Sequence, residues 1–249
     1  MHEAAGCEQS PFQVFMRRIP TREKRSLSSC TLPIRFMPAK YTGVFDNRLC
    51  TQQQLFGLID QINHLIDTGR FLKKDITSCV CCITWNGRDI VVKRHGYRGL
   101  IRSLKYTIIG SRARRGWFYA NLLTSLNIAT PRPVAFIEQR IGPLVWQSYL
   151  LTEYVEAKRL KDALGDDKTT QANRERLTHQ INDLLDKLKK HRIIHGDLKD
   201  KNILVTESSL MLTDLDGMKA HKCPLIFRIY RDKDTARIAP IFKWEDKNP

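Results

Sequence analysis

Two short apolar runs late in the chain, Ile203–Val205 and Leu210–Thr213, are joined only by the polar stretch Thr206–Ser209. So short a connection predicts an antiparallel hairpin, which returns its second strand to the level of the first. Asn202 stands just before the first strand, and Asp214 just after the second, twelve positions further on. The hairpin therefore sets an amide oxygen beside a carboxylate. That donor pair suits a hard, oxygen-seeking cation such as Mg2+, and Mn2+ fits the same oxygens. Asp216 is a rival to Asp214, but Asp214 follows the apolar strand directly and is the residue expected to serve.

The stretch in front of the hairpin is His195-Gly196-Asp197-Leu198-Lys199-Asp200-Lys201-Asn202. It matches the phosphotransfer pattern H-x-D-x-x-x-x-N, in which the Asp accepts the acceptor hydroxyl's proton and the Asn holds a metal ion. D-x-x-x-x-N alone arises by chance in many chains. Here an amphipathic helix leads in, with Leu177, Ile181, Leu184, Leu185 and Leu188 on one face, and a strand leads out. Asp197 is expected to face the reacting hydroxyl and Lys199 to neutralise charge on a transferring phosphoryl group. His195 is expected to brace the loop by hydrogen bonding.

Composition narrows the alternatives. The 249 residues are 42% hydrophobic and carry 42 Lys and Arg against 26 Asp and Glu, a net charge of +16. That is ordinary globular composition with a strong basic excess. No apolar run approaches the ~18–20 residues of a membrane-spanning helix. The N-terminal MHEAAGCEQSPFQVFM does not read as a secretory signal, so a cytoplasmic location is expected. The seven cysteines are scattered and odd in number, and Cys79-x-x-Cys82 has no second ligand pair to complete a zinc site. The basic excess points to nucleic acid, an anionic membrane surface or a phosphorylated substrate.

Residues 1–50 show no sustained periodicity and are expected to form a basic, poorly ordered extension. A helix is predicted through Leu55, Leu58, Ile59, Ile62, Leu65 and Ile66, stopping at Gly69. Next comes a hairpin, VCCITW and RDIVVKRH around Asn86-Gly87. From Lys93 to Arg115 there are eight basic residues and no acid, interleaved with Tyr97, Leu100, Ile101, Leu104, Tyr106 and Ile108. A helix is expected through GWFYANLLTSLNI, followed by strands at PVAFIEQ and SYLLTEYV and a polar linker around GDDKTTQANRER.

HGDLKDKNILV with LTDLDG resembles the protein-kinase-like superfamily, and VVKRHGYRGL, SRARRGWFYANLL, IATPRPVAFIE and LLTEYVEAKRLKDAL, in that order, narrow the resemblance to the lipopolysaccharide kinases. The resemblance covers about residues 70–240. It implies a two-lobed α+β protein-kinase-like fold, with an N-lobe over 51–155 and a mostly helical C-lobe over 156–249. It also implies ATP and Mg2+ as cofactors and phosphorylation of a Kdo or heptose hydroxyl in lipopolysaccharide biosynthesis. By the same resemblance, Lys93 pairs with the α- and β-phosphates of ATP, and Glu153 and Val155 form the hinge that meets adenine. Asp197 is the base, Lys199 the phosphate-neutralising lysine, and Asn202 and Asp214 the metal ligands.

Three departures stand out. No glycine-rich loop precedes Lys93, so phosphate cover is left to backbone amides with Lys73, Lys74, Thr77 or Ser78. The helix after Lys93 offers no acid to pair with it, which leaves Asn121 as a weak substitute or an acid arriving from elsewhere in the chain. Gly196 replaces the usual Arg, and no A-P-E follows Asp216.

Only 33 residues follow Asp216, without a long amphipathic pattern, which predicts a reduced C-terminal lobe and an open acceptor site. Such a site favours an anionic glycolipid or sugar acceptor over a folded protein. The basic segment suits peripheral contact with an anionic membrane surface, the inner face of the cytoplasmic membrane. A nucleic-acid module explains the charge but not the spacing of Asp197, Asn202 and Asp214. A small atypical serine/threonine protein kinase and a non-catalytic kinase-like ATP-binding protein are the remaining alternatives.

Overall fold

The computed structural model describes residues 31–35, 40–75, 78–97, 99–165 and 169–242. The expectations for residues 1–30 and for Thr77 lie outside them. The chain folds into two lobes of mixed helix and sheet.

The small lobe comprises β1 (Thr31–Arg35), β2 (Tyr41–Asp46), α1 (Gln52–Thr68), β3 (Arg70–Lys74), β4 (Ser78–Trp85), β5 (Arg88–Gly96), α2 (Leu100–Ile109), α3 (Arg112–Ser125), β6 (Pro133–Ile141) and β7 (Leu144–Glu153). Its strands form one seven-stranded sheet in the order β1-β2-β6-β7-β5-β4-β3. The β4–β5 hairpin turns at Asn86 and Gly87, both at positive φ (50° and 71°), as the Asn-Gly pair requires.

Thr51 caps α1 by accepting from the Gln54 backbone, while the Gln54 side chain accepts from the Thr51 backbone. Leu55, Leu58, Ile59, Ile62 and Ile66 of α1 are buried against Cys81, Ile83, Ile90, Val92, Tyr149 and Leu151. The other face of the sheet receives α3, through Ala113 and Trp117 against Val44 and Phe136. The sheet is thus sandwiched between α1 and α3.

The small lobe starts earlier than residue 51. Strand β2 pairs with β6 in register Val44↔Phe136, and Phe45 is buried, so this part of the expected extension is built into the sheet. Its partner lies some ninety residues away, which no local pattern reveals. The helix expected from Gly116 begins at Arg112, capped by Ser111, and the basic segment before it forms α2.

The large lobe comprises β8 (Lys158–Arg159), α4 (Leu160–Leu164), α5 (Gln171–Lys190), β9 (Ile193–Ile194), β10 (Ile203–Val205), β11 (Leu210–Leu212), β12 (Lys219–Ala220) and α6 (Pro224–Phe242). Thr170 caps α5 by accepting from the Asn173 amide, so much of the expected linker is helical. Leu177, Ile181, Leu184 and Leu188 of α5 pack with Ile203, Leu210 and Leu212 of the β10–β11 hairpin. Phe118, Leu122 and Leu123 of α3 join that same core, so α3 belongs to both lobes.

Helix α6 follows Asp216 without the amphipathic pattern by which a helix is read from sequence. Its apolar residues are spread around the axis: Phe227 and Ile238 are buried, whereas Leu225 and Ile229 are exposed. An amphipathic pattern is therefore not legible, although Pro224 marks its first turn.

Candidate active site

The catalytic-loop candidates sit where α5, the β10–β11 hairpin and α3 meet. After β9 the chain turns through Gly196 at φ 84°, and a Cβ there would lie 2.8 Å from the Gly217 carbonyl oxygen. Both the conformation and the close approach demand glycine. This is the physical reason that Gly196 stands where the arginine of the pattern was expected. His195 is fully buried, and its Nε2 lies 2.9 Å from the Thr213 carbonyl. A carbonyl only accepts, so Nε2 carries the proton and the ring is a neutral donor. Burial pushes the His195 pKa down, in keeping with that tautomer. The histidine braces the loop against the strand that leads to Asp214.

Asp197 is half-exposed. Its carboxylate accepts from Lys199 Nζ at 2.6 Å, and Asn202 Nδ2 donates to the Asp197 backbone carbonyl at 2.8 Å. With its nitrogen so engaged, Asn202 has its amide oxygen left for a cation. The hairpin pairs Ile203 with Leu212 and Leu204 with Met211, and the Thr213 amide donates to the Asn202 carbonyl at 2.9 Å. The hairpin thus sets Asn202 opposite Thr213, one residue before Asp214.

Asp214 adopts the left-handed conformation (φ 61°, ψ 47°) and its carboxylate is gripped by Lys93 Nζ. Burial works to raise the Asp214 pKa, but Lys93 overrides it and holds the carboxyl below its ordinary range. Lys93 lies on β5 opposite Val80 and Leu150, and reaches Asp216 as well, at 3.3 Å.

The absence of a helix acid has a structural answer. Gly116 lets α3 press against the site, with a Cβ there 2.9 Å from Leu150 Cδ2 and 3.9 Å from Asp216 Cβ. One turn earlier, Arg112 reaches Asp216 with two donors, Nε at 2.9 Å and Nη2 at 3.3 Å. The acid that meets Lys93 thus comes from the turn after β11, and the helix supplies the cation that holds it. Asn121 does not substitute, because its side-chain amide donates to the Trp117 carbonyl of its own helix. His95, two residues beyond Lys93, is buried with Nε2 3.6 Å from Asp216. Burial first, then Lys93 and Arg112, keep it neutral by driving its pKa well below the usual value.

Glu153 and Val155 flank the passage from β7 to β8. The Glu153 amide is used by the Arg132 carbonyl (2.9 Å), and the Tyr154 amide donates to the Asp89 carbonyl (3.0 Å). Lys73 pairs with Asp75 at 3.0 Å at the turn that stands in place of a glycine-rich loop. Cys79 and Cys81 are buried in the α1 core, and Cys82 is buried too, so these thiols serve as packing.

The sequence missed Asp234 of α6. Nearly buried, it accepts from the Gly196 amide at 2.9 Å, and Arg237 donates to the Gly196 carbonyl. The contact spans 38 positions, and no local signal foretells it. A cavity of about 450 Å3 between α5 and α6, lined by Leu188, Ile193, Leu198 and Phe227, lies behind this loop and away from Lys93.

A two-lobed fold of this kind is that of the protein-kinase-like phosphotransferases. The family model for the lipopolysaccharide kinase (Kdo/WaaP) family matches residues 69–237. The solved structure "WaaP in complex with acyl carrier protein" is similar, with a TM-score of 0.53 and 17% identity over 72% of each chain. No curated protein sequence matches the chain. The chain belongs to the lipopolysaccharide kinase (Kdo/WaaP) family and is a kinase.

Proposed function

We propose that this kinase transfers the γ-phosphoryl group of ATP to a hydroxyl of a Kdo or heptose sugar in the lipopolysaccharide inner core. The observation that carries the reading is the meeting of Lys93 from the small lobe with Asp214, beside a loop bearing Asp197, Lys199 and Asn202. Asp197 accepts the proton of the sugar hydroxyl as its oxygen bonds to the γ-phosphorus. The bond from that phosphorus to the bridging oxygen breaks, and ADP departs. Lys199, already on the Asp197 carboxylate, lies at hand for charge on the transferring group. Lys93 exchanges part of its hold on Asp214 and Asp216 for the α- and β-phosphates. Glu153 and Val155 present backbone groups to the adenine edge.

The donor set suits Mg2+. Among the described residues no cluster of three or more His, Cys, Asp or Glu side chains is placed to hold a metal. A magnesium ion with substrate phosphates needs only one or two protein oxygens, which Asn202 and Asp214 supply. When bound there it would neutralise phosphate charge, and positioning with electrostatics would account for most of the acceleration.

Among the described residues no helix is long and apolar enough to cross a membrane. A glycolipid acceptor nevertheless implies work at a membrane face, and the basic segment favours an anionic one. The deciding experiment offers γ-labelled ATP with Mg2+ to purified inner-core lipopolysaccharide and to a generic protein, with Asp197→Ala as the blank. Label in the lipopolysaccharide that vanishes with Asp197→Ala upholds the reading. Label in protein instead moves the chain to the protein kinases.

A further inference from the structure

Helix α2 is built inside out. A surface helix ordinarily turns its apolar stripe inward and its polar face to water. Here the inward face is polar: Ser103 Oγ donates to the Val145 carbonyl at 2.6 Å, and Thr107 Oγ1 accepts from the Val145 amide at 2.9 Å. Tyr106 completes that face by stacking on Tyr97, with ring centroids 4.3 Å apart. The apolar stripe points away from the protein, with Ile101 88%, Ile108 75%, Leu100 71% and Leu104 51% exposed. At helical spacing these four side chains share one arc, and Lys105 and Arg102 continue round its edge.

The stretch of chain that contains this helix carries charge of one sign. No Asp or Glu occurs anywhere between Asp89 and Glu138. Seating a second copy on this stripe would bring Arg102 and Lys105 against themselves. An anionic bilayer meets both features at once, because acyl chains receive the aliphatic side chains while lipid phosphates receive the flanking cations. Gly110 and Ser111 alone separate α2 from Arg112, so the helix is joined by two residues to the side chain that holds Asp216.

We infer that α2 is an interfacial anchor, inserting Leu100, Ile101, Leu104 and Ile108 into the surface of an anionic membrane with Arg102 and Lys105 at the headgroup level. The inference rests on the proposed glycolipid acceptor for its biological sense but not for its test, which uses vesicles free of lipopolysaccharide.

The test is sedimentation of the full chain with vesicles of phosphatidylcholine alone and with 30% phosphatidylglycerol (about a third of the lipid, enough to give a negative surface). The full chain should bind the anionic vesicles at least tenfold more tightly. Ile101→Glu/Ile108→Glu should lose at least tenfold of that affinity, and Arg102→Gln/Lys105→Gln a smaller factor that shrinks further in high salt. Both variants change exposed side chains, and an unaltered thermal transition confirms their folding. In a separate variant, Ile101→Trp, indole emission should shift to the blue on anionic vesicles relative to the parent protein. No binding by the parent chain, binding untouched by Ile101→Glu/Ile108→Glu, or an unshifted Trp would each overturn the proposal. Binding that ignores lipid charge would overturn the headgroup role of Arg102 and Lys105. Loss of sugar phosphorylation with vesicle binding intact would count against the proposed function and leave the anchor standing.

Discussion

Arg112 and Asp216, 104 positions apart in sequence, are joined by two hydrogen-bonded ion contacts of 2.9 and 3.3 Å. The pair ties the first turn of α3 to the turn after β11, and Lys93 shares the same carboxylate. If this bridge sets the position of Lys93, Asp216→Asn should lower kcat at least tenfold and raise KM for ATP. Arg112→Lys should not restore the behaviour of Arg112, since an ammonium cannot make two parallel contacts. Steady-state kinetics over ATP concentration, with the fold checked by circular dichroism, reads both effects. Unchanged kinetics in Asp216→Asn would remove Asp216 from the site.

Asp197→Asn keeps shape and hydrogen-bonding size but takes away the proposed proton acceptor. The loss expected in kcat is about 10²–10⁴-fold, the usual range for a positioned general base. Nucleotide affinity should stay within about threefold, because Lys93 and Asp214 are untouched. Calorimetric titration with a non-hydrolysable ATP analogue separates the two quantities.

Gly196 and Gly116 should respond differently to alanine. At Gly196 the added Cβ meets a backbone oxygen at 2.8 Å with φ at 84°, so neither atom can easily give way. The left-handed conformation alone costs an L-residue about 1–2 kcal/mol, and the clash adds to it. At Gly116 the obstacle is the end of the Leu150 side chain at 2.9 Å, which can rotate. Urea unfolding should therefore show Gly196→Ala as much the less stable variant.

His95 and His195 are both buried and held neutral, with pKa values below the ordinary histidine value. The unfolded chain protonates them near pH ~6.5 while the folded chain does not. Below that pH the unfolded state binds more protons, so stability falls as pH falls; above it their contribution is complete. Two such groups give a slope of about 2.7 kcal/mol per pH unit on the acid side, from ~1.4 per proton. His195→Gln should reduce that slope by up to half. Urea midpoints at pH 5.5 and 7.5 test the direction and the share, and a flat profile would contradict the burial argument.

How much of this was legible in the sequence follows the range of each interaction. The α1 stripe, the Asn86-Gly87 turn and the hairpin that aligns Asn202 with Asp214 are local, and each is written in a dozen or so residues. The β2–β6 pairing, the Arg112–Asp216 bridge and the Asp234 contact with Gly196 join distant segments, and a single sequence carries no trace of them. Helix α2 is legible only in part: its mixture of apolar and basic residues suits a membrane surface, whereas its docking through Ser103 and Thr107 on Val145 depends on a strand some forty residues away. Asp216 was seen only as a rival to Asp214, although the two carboxylates share Lys93.

The loop carrying Asp197 and the turn carrying Asp214 are fastened to each other at several points. His195 bonds to the Thr213 carbonyl, Gly196 abuts Gly217, Ile194 pairs with Lys219, and Asn202 accepts from Thr213. Neither segment can swing without tearing the other's backbone contacts. The two segments are therefore held as one unit, which fixes the spacing between the proposed base and the proposed metal ligand. Under the proposed reaction, control then falls to the arrival of ATP and acceptor rather than to movement between these two segments.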